Sequence, residues 1–309
     1  MVDWLMHNLR KLRGIVPALS TAMKRDGSID EEGIRELVRF NLEKGVHAFA
    51  VTIIAGEFYK LTDAERKRVY DMVIDETNGK IPVLAGTSHS GTEPTIELSR
   101  YAMDAGADGI IVMPPFFGRV ESSLYLHEHY SRIARAVDLP LMIQDAEDYT
   151  GVVFSSVAIS KLAKEFSNIF MVKVEGARTL EKIGEIRKLN GNKMVILGGM
   201  AAKLLIEELE LGSQGNIPDG CLPELLVDVY RRYRRGDVSG ARRIFKKYER
   251  WLDYLSLHPL LEIALEKETL RLRGVIKSSY VRGPTLALEK RHTQSLTAIL
   301  REIGVSSTA

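Results

Sequence analysis

The sequence is poor in cysteine, balanced in charge and free of long hydrophobic runs. Cys221 is the only cysteine among 309 residues, which excludes a disulfide framework and a metal site built from several thiolates. Lys and Arg number 43 and Asp and Glu 41, a net charge of +2, so we expect no broad basic face for nucleic acid. The longest apolar runs, such as 109–117, are far shorter than the roughly 20 residues that span a bilayer.

The first residues also lack the features of an export signal. Residues 1–14 contain no continuous apolar stretch followed by a small-residue cleavage site. We therefore expect a cytoplasmic protein that binds neither nucleic acid nor membrane. Apolar residues make up 45% of the chain and charged residues 27%, proportions typical of a globular protein with a packed core.

Short apolar segments alternate with amphipathic segments over most of the chain. Several of the apolar segments have no polar face, as expected for parallel strands covered by helices. Eight such cycles in roughly 235 residues predict an α/β fold, a (β/α)8 TIM barrel. A doubly wound open sheet is the alternative, but neither GxGxxG nor GxxxxGK(S/T) follows the first strand. The predicted strands are Ile15–Leu19, Ala48–Ile54, Pro82–Gly86, Gly109–Met113, Leu139–Gln144, Phe170–Glu175, Met194–Leu197 and Gly215–Ile217.

Capping residues mark where several helices begin and end. Asp30 precedes one helix, and Thr62 with Glu65 forms a capping box that opens another. Glycine follows three helices, where it allows a left-handed C-terminal cap. These glycines are Gly45, Gly106 and Gly212.

After Gly236 the pattern is helical only. The segments Gly240–Leu255, Leu260–Leu272 and Leu286–Ile303 have helical periodicity, and Gly274 and Pro284 separate them. We therefore expect a TIM barrel over residues 1–236 and a C-terminal helical domain over residues 237–309.

Lys173 is an unusual residue for a strand of a barrel core. Alternation along the strand places Lys173 and Glu175 on one face. The other face is apolar, with Phe170, Val172 and Val174, and must pack against the helices, so Lys173 points into the barrel. Because desolvation disfavours the charged ammonium, such a lysine is a usable nucleophile toward a ketone. The alternative is a purely structural ion pair between Lys173 and Glu175.

Two further strand ends carry residues suited to a site at the C-terminal rim, where barrel enzymes perform their chemistry. The turn Ala55-Gly56 exposes backbone N–H groups that can hold a carboxylate, although an ordinary tight turn is the alternative. Residues 144–151 include three carboxylates, an amide and a phenol, and form either part of the site or a solvated loop. No cluster of histidines and carboxylates has metal-ligand spacing, so we expect no metal.

Several motifs occur in the order found in one known enzyme family. They are Gly56-Glu57, Leu61-Thr62, Glu65-Arg66, Ala85-Gly86-Thr87, Pro114-Pro115-Phe116-Phe117 and Leu270-Arg271-Leu272-Arg273-Gly274. With Lys173 on the sixth strand, they make the chain resemble the dihydrodipicolinate synthase / N-acetylneuraminate lyase family from about Gly14 to Ile303. The resemblance implies a barrel in which Lys173 forms a Schiff base with pyruvate or another 2-keto acid, without an external cofactor. It also implies a homo-oligomer, a tetramer or a dimer.

The chain departs from the synthases of this family at the positions of their proton relay. Their Thr-Thr pair is Ile54-Ala55 here, and their Tyr-Asn-Val-Pro motif reads Gln-Asp-Ala-Glu at 144–147. The tyrosine contributed by a neighbouring subunit corresponds to Phe117, and the arginine for the second substrate's carboxylate corresponds to Tyr149. These departures argue against dihydrodipicolinate synthesis and against sialic acid cleavage.

The strand-five pair Gln144-Asp145, with Lys173 and Gly199, is instead similar to a branch of 2-keto-3-deoxy-sugar-acid dehydratases. We therefore expect a Schiff-base-forming lyase, a dehydratase or an aldolase, acting on a 2-keto acid such as a 2-keto-3-deoxy sugar acid. Lys173 is the expected nucleophile, and Gln144 orients a water or the substrate. Glu175 is the expected proton carrier, ahead of Asp145, Glu147 and Tyr149. The expected substrate-binding residues are Ala55, Gly56, Phe117, Asp145, Tyr149 and Gly199.

Three alternatives remain open at the level of sequence. One is a 4-hydroxy-tetrahydrodipicolinate synthase-type condensation of pyruvate with an aldehyde. Another is a relative that binds a keto acid without catalysis, as the missing tyrosine relay would suggest. A phosphate-binding barrel enzyme is the third, because Gly198-Gly199 and Gly215 offer a weak form of the glycine-rich turns that it needs.

Overall fold

The computed structural model describes residues 2–116 and 123–305. Nine strands form one parallel sheet whose order is β1-β9-β8-β7-β6-β5-β4-β3-β2. The strands are β1 (Gly14–Ile15), β2 (Ala18–Leu19), β3 (Phe49–Val51), β4 (Val83–Gly86), β5 (Gly109–Val112), β6 (Leu141–Ala146), β7 (Ile169–Glu175), β8 (Val195–Gly198) and β9 (Gly215–Asn216).

The sheet closes into the predicted TIM barrel because β1 and β2 are two halves of one barrel strand. β1 pairs with β9, β2 pairs with β3, and Ala18 also bridges to Asp219. Pro17 lies between the two halves, where it has no N–H to donate to a ladder. All eight predicted strands are therefore present, with the first one interrupted and several ends shifted by up to three residues.

Helices connect the strands and continue after the barrel. They are α1 (Val2–Leu9), α2 (Glu31–Glu43), α3 (Asp63–Thr77), α4 (Thr92–Asp104), α5 (Ser123–Ala136), α6 (Glu147–Thr150), α7 (Ser156–Glu165), α8 (Thr179–Asn190), α9 (Leu205–Glu210), α10 (Pro223–Arg234), α11 (Val238–Ser256), α12 (Glu262–Leu272) and α13 (Lys290–Glu302). In the described part of the chain, no helix is long and apolar enough to cross a membrane.

The predicted caps are confirmed. The Asp30 side chain accepts a hydrogen bond from the Gly33 backbone N–H at the start of α2. Thr62 and Glu65 form the reciprocal capping box of α3. The three predicted glycines all have a positive φ, of 76° at Gly45, 93° at Gly106 and 91° at Gly212.

Two layers of apolar side chains hold the barrel together. The larger layer lies between strands and helices and includes Val172 and Val174, as predicted. The smaller layer fills the barrel and includes Phe170, which the sequence places among the helix-facing residues. That expectation is wrong because the pairing of β6 with β7 shifts register between Leu141 and Met142, so strict alternation fails there.

The helices predicted after Gly236 are present and reach the C-terminal rim of the barrel. The Tyr248 hydroxyl on α11 donates to the Ala201 carbonyl at 2.7 Å. Lys267 on α12 forms an ion pair with Glu57, just beyond β3. The boundary between residues 236 and 237 stays a prediction.

Candidate active site

Lys173 lies near the carboxyl end of β7, with its side chain inside the barrel. The residue is only 5% exposed, and its neighbours across the ladder are Gln144 on β6 and Leu197 on β8. The adjacent Val172 and Val174 point the other way, toward the helices. The predicted orientation of Lys173 is therefore confirmed by the packing on both sides of the strand.

Lys173, Glu175 and Gln144 form a buried polar chain. The Lys173 Nζ lies 2.8 Å from Glu175 Oε2, and Gln144 Nε2 donates to Glu175 Oε1 at 2.7 Å. Glu175 is 5% exposed and Gln144 is fully buried. The Gln144 Oε1 atom has no hydrogen-bond partner in the described structure.

Gly199 has no side chain, and this leaves room for the buried Lys173 and Glu175 side chains. A Cβ at Gly199 would lie 2.5 Å from Glu175 Oε2 and 2.9 Å from Lys173 Cε. Glycine thus lets the backbone after β8 approach the side chains of Lys173 and Glu175. The preceding Gly198 similarly leaves space for the Glu208 carboxylate of α9.

A cavity of about 430 Å³ opens above Lys173 and Glu175 at the C-terminal rim. Of the predicted substrate-binding residues, Ala55 and Tyr149 line it. Gly56 lies beside the cavity wall, with its carbonyl accepting from Thr21 Oγ1 at 2.6 Å. The volume is within the range that holds a small organic ligand.

Asp145 does not belong to this group, although the sequence places it among the substrate-binding residues. It follows Gln144 on β6, so its side chain points away from Lys173 and toward α8. There Lys182 Nζ lies 2.7 Å from Asp145 Oδ2 and 3.4 Å from Glu147 Oε2. Burial raises the pKa of Asp145 to about 6, although Lys182 counteracts it. Asp145 is therefore part of a buried ion pair outside the barrel.

A second group of charged side chains lies around the rim and is not predicted by the sequence patterns. Glu57 is fully buried, has a positive φ of 56° and forms ion pairs with Lys60 and Lys267. The cavity wall also includes Asp219, Glu262 and Glu266. Most of these residues are far apart in sequence, and helical periodicity alone does not say which face of α12 meets the barrel.

Two further predictions concern a substrate contact at Phe117 and the absence of a metal site. Phe117, predicted to contact the substrate, lies outside the described residues. Within residues 2–116 and 123–305, no group of three or more His, Cys, Asp or Glu side chains is arranged to hold a metal ion.

Known proteins are similar to this chain in sequence and in fold. Residues 11–303 match the model of the dihydrodipicolinate synthetase family. A 4-hydroxy-tetrahydrodipicolinate synthase of Methanopyrus kandleri is 35% identical over 238 residues, covering 76% of this chain and 78% of that protein. The probable 2-dehydro-3-deoxy-D-pentonate aldolase YjhH of Escherichia coli is 26% identical over 304 residues, covering 96% and 99%.

A solved structure of a family member has the same fold. YagE of E. coli K12, a prophage protein of the dihydrodipicolinic acid synthase family crystallised with pyruvate, superposes with a TM-score of 0.89. The two sequences are 27% identical, and the match covers 96% of this chain and 99% of YagE. With the family model matched across nearly the whole chain and the lysine buried at the barrel rim, the chain is a class I lyase that belongs to the dihydrodipicolinate synthetase family.

Proposed function

We propose that Lys173 forms a Schiff base with the keto group of a 2-keto acid. The observation that carries this proposal is the buried Lys173 amine at the floor of the cavity, 2.8 Å from the Glu175 carboxylate. The neutral amine adds to the keto carbon, and the oxygen leaves as water, so that a protonated imine links Lys173 to the substrate. This imine is itself the electron sink of the reaction, so the proposed chemistry needs no external cofactor.

Glu175 is the proposed proton carrier. Its Oε2 accepts the Lys173 proton when the amine becomes nucleophilic, and it returns a proton to the oxygen that leaves as water. Gln144 donates to the other carboxylate oxygen and holds Glu175 in place. Glu175 thereby takes over the task for which the family's synthases use tyrosine, which this chain lacks at 144–147.

The substrate carboxylate is proposed to bind at the Ala55-Gly56 turn, beside the cavity floor. Ala55 lines the cavity, and a Cβ at Gly56 would lie 3.1 Å from the Leu19 carbonyl, so this turn is packed closely against β2. Backbone N–H groups held in such a turn bind a carboxylate without adding a further charge to the site. Gly199 keeps the opposite side of the imine open.

Two reactions, aldol cleavage and dehydration, start from the same imine. In aldol cleavage, a base takes the proton of the C4 hydroxyl, the C3–C4 bond breaks toward the imine, an aldehyde leaves, and the remaining enamine takes up a proton at C3. In dehydration, the base takes a proton from C3, and the resulting enamine expels the C4 hydroxyl as water. Both routes end with hydrolysis of the Lys173 imine, and the product distinguishes them.

Turnover of matched substrates tests this function. Purified protein is incubated with 2-keto-3-deoxy pentonates and hexonates, and the products are followed by mass spectrometry for pyruvate with an aldehyde, or for a dehydrated acid. We expect the wild type and Lys188→Ala, a change of an exposed lysine on α8, to be equally active. Lys173→Ala is expected to lose activity by at least roughly 1000-fold, and unchanged activity in this variant would contradict the proposal.

We also infer that the chain assembles into a homo-oligomer, a tetramer or a dimer. Leu124 and Val157 are large apolar residues that are 76% and 68% exposed in the single chain. Side chains of this kind at neighbouring positions favour burial against a second copy. Light scattering during size-exclusion chromatography measures the mass, and a single species of 34.6 kDa would contradict this inference.

A further inference from the structure

Three carboxyl groups besides Glu175 line the cavity. Asp219 follows β9, and Glu262 and Glu266 lie one turn apart on α12. Because residues four positions apart share a face of a helix, Glu262 and Glu266 both face the same cavity wall. These three residues are called the acid cluster below.

Asp219 has neutral hydrogen-bond partners, and Glu266 has a carboxyl oxygen without one in the described structure. Asp219 accepts from the Cys221 backbone N–H at 2.8 Å and from the Tyr248 hydroxyl at 3.2 Å. Glu266 is only 4% exposed, and its Oε2 has no hydrogen-bond partner in the described structure. A buried carboxyl oxygen that lines a cavity without a partner is a place where a bound molecule supplies the missing hydrogen bond.

The positive groups on the same wall are already paired. Within residues 2–116 and 123–305, the cationic side chains that line the cavity are Lys60 and Lys173. Lys60 Nζ lies 3.2 Å from Glu57 Oε2, and Lys173 Nζ lies 2.8 Å from Glu175 Oε2. A carboxylate at the far end of a substrate would therefore meet like charges and find no described cation that is free to bind it.

Hydroxyl groups suit this wall better than an ammonium group. Burial and the neighbouring acids raise the pKa of Glu262 and of Glu266, because this buried wall disfavours further charge. A hydroxyl brings no charge and both donates and accepts, whereas an ammonium has to be desolvated there and only donates. The hydroxyls of Tyr149 and Thr285 line the same cavity and add further neutral partners.

We propose that Asp219, Glu262 and Glu266 form a subsite for the far end of the 2-keto acid, which takes an uncharged, hydroxyl-bearing chain and rejects a chain that ends in a carboxylate. This inference rests on the proposed function, because it assumes that the keto end is bound at Lys173. It also explains why Tyr149 is compatible with the reaction at the position where the family's synthases have an arginine.

A matched set of three substrates tests the subsite. A 2-keto-3-deoxy-hexonate, the corresponding hexarate and the 6-amino analogue differ only at C6, and kcat/KM is measured for each. We expect the hexonate to exceed the hexarate by roughly 100-fold or more, because buried acids oppose a second negative charge. Equal values for hexonate and hexarate would overturn the proposal, as would a 6-amino analogue that exceeds the hexonate by roughly tenfold.

Variants of the acid cluster identify which residues discriminate between the hexonate and the hexarate. Glu262→Gln and Glu266→Gln are expected to raise KM for the hexonate by roughly tenfold and to reduce the preference over the hexarate. Glu262→Arg is expected to raise kcat/KM for the hexarate, which loss of structure would not do. Glu249→Gln, a change of an exposed residue on α11, is the control and is expected to leave the preference unchanged.

Pyruvate separates failure of this subsite from failure of the proposed function. Pyruvate has no far end, so borohydride trapping of pyruvate on Lys173 is expected in the wild type and in every acid-cluster variant. Trapped pyruvate with an unaltered hexonate preference in Glu262→Gln and Glu266→Gln would overturn the subsite alone. Absence of trapping in the wild type would overturn the Schiff-base function on which the subsite rests.

Discussion

Lys173 Nζ and Glu175 Oε2 lie 2.8 Å apart on the same face of β7, both nearly buried inside the barrel. This distance is short enough for a proton to transfer directly between the two groups. Gln144 fixes the carboxylate from the neighbouring strand, and Gly199 leaves the space beside both side chains open. The ion pair is therefore proposed to be the resting form of a nucleophile and its proton carrier.

Glu175→Gln is expected to separate imine formation from turnover. The amide keeps the size of the side chain and can still contact Lys173, but it cannot take up a proton. We expect kcat to fall by roughly 100- to 10,000-fold, as is typical for loss of a general acid–base group, while a pyruvate adduct still forms on prolonged incubation. Steady-state kinetics and mass spectrometry give the two readouts, and Glu181→Gln on the surface of α8 is the control. An unchanged kcat would show that another group carries the proton.

Gly199→Ala is expected to disrupt the site because the added methyl group clashes with Glu175. The new Cβ would lie 2.5 Å from Glu175 Oε2, so Glu175 or the backbone has to move. We expect a loss of about 1–3 kcal/mol in the free energy of unfolding and a fall in kcat of at least roughly 100-fold. Gly184→Ala is the matched control, because a Cβ at this position in α8 meets no atom within 4 Å. That change is expected to stabilise the protein by about 0.5–1 kcal/mol, and equal behaviour of the two variants would contradict the argument.

Asp145 and Lys182 are expected to matter for stability and not for substrate binding. Lys182→Met leaves the Asp145 carboxylate buried without its cation, and we expect a loss of about 3–5 kcal/mol in denaturant unfolding. Asp145→Asn is expected to leave KM unchanged within about twofold, because the side chain points away from the cavity. A large rise in KM for Asp145→Asn would show that Asp145 does contribute to substrate binding.

Glu208 is expected to make the stability of the protein fall as the pH rises. Burial raises the pKa of Glu208 to about 8, from an ordinary value of 4.5. The folded state therefore binds this proton more tightly than the unfolded state, so its stabilising effect is complete below pH 4.5 and is lost as the pH approaches 8. Glu208→Gln keeps an acceptor for Asn216 and is expected to be more stable than the wild type by about 5 kcal/mol above pH 8.

The test of Glu208 is a series of urea unfolding curves between pH 4.5 and pH 9. The difference between Glu208→Gln and wild type is expected to grow with pH. Glu210→Gln is the control, because Glu210 is exposed and paired with Arg242 at the surface, where ion pairs contribute little. A difference that is constant over this range would contradict the pKa of about 8.

Much of the fold follows from local patterns in the sequence. The inward position of Lys173 follows from its place among Val172 and Val174, and the caps at Asp30 and Thr62 follow from short-range hydrogen bonds. The position of Phe170 does not follow from a local pattern. It depends on the register shift between Leu141 and Met142, which is set by how β6 and β7 pair. A periodic pattern describes one strand and does not contain the pairing with its neighbour.

The sequence predicts cavity residues on the barrel strands and in the segments that directly follow them, such as Ala55 and Tyr149. Glu175 and Gln144 are placed by strand alternation, whereas Asp145 was assigned to the substrate although the same alternation turns it toward Lys182. The acid cluster could not be predicted, because Asp219 and the two glutamates of α12 meet only after the C-terminal helices pack on the rim. Long-range packing of this kind leaves no signal in a single sequence.

The most direct test of the account is the intact mass of the protein after borohydride reduction with pyruvate. The wild type and Lys173→Ala are treated side by side, with and without pyruvate, and the modified peptide is sequenced. The account predicts one reduced pyruvate adduct per chain, located on Lys173 and absent from Lys173→Ala. A wild type that gains no mass, or an adduct that persists in Lys173→Ala, would contradict it.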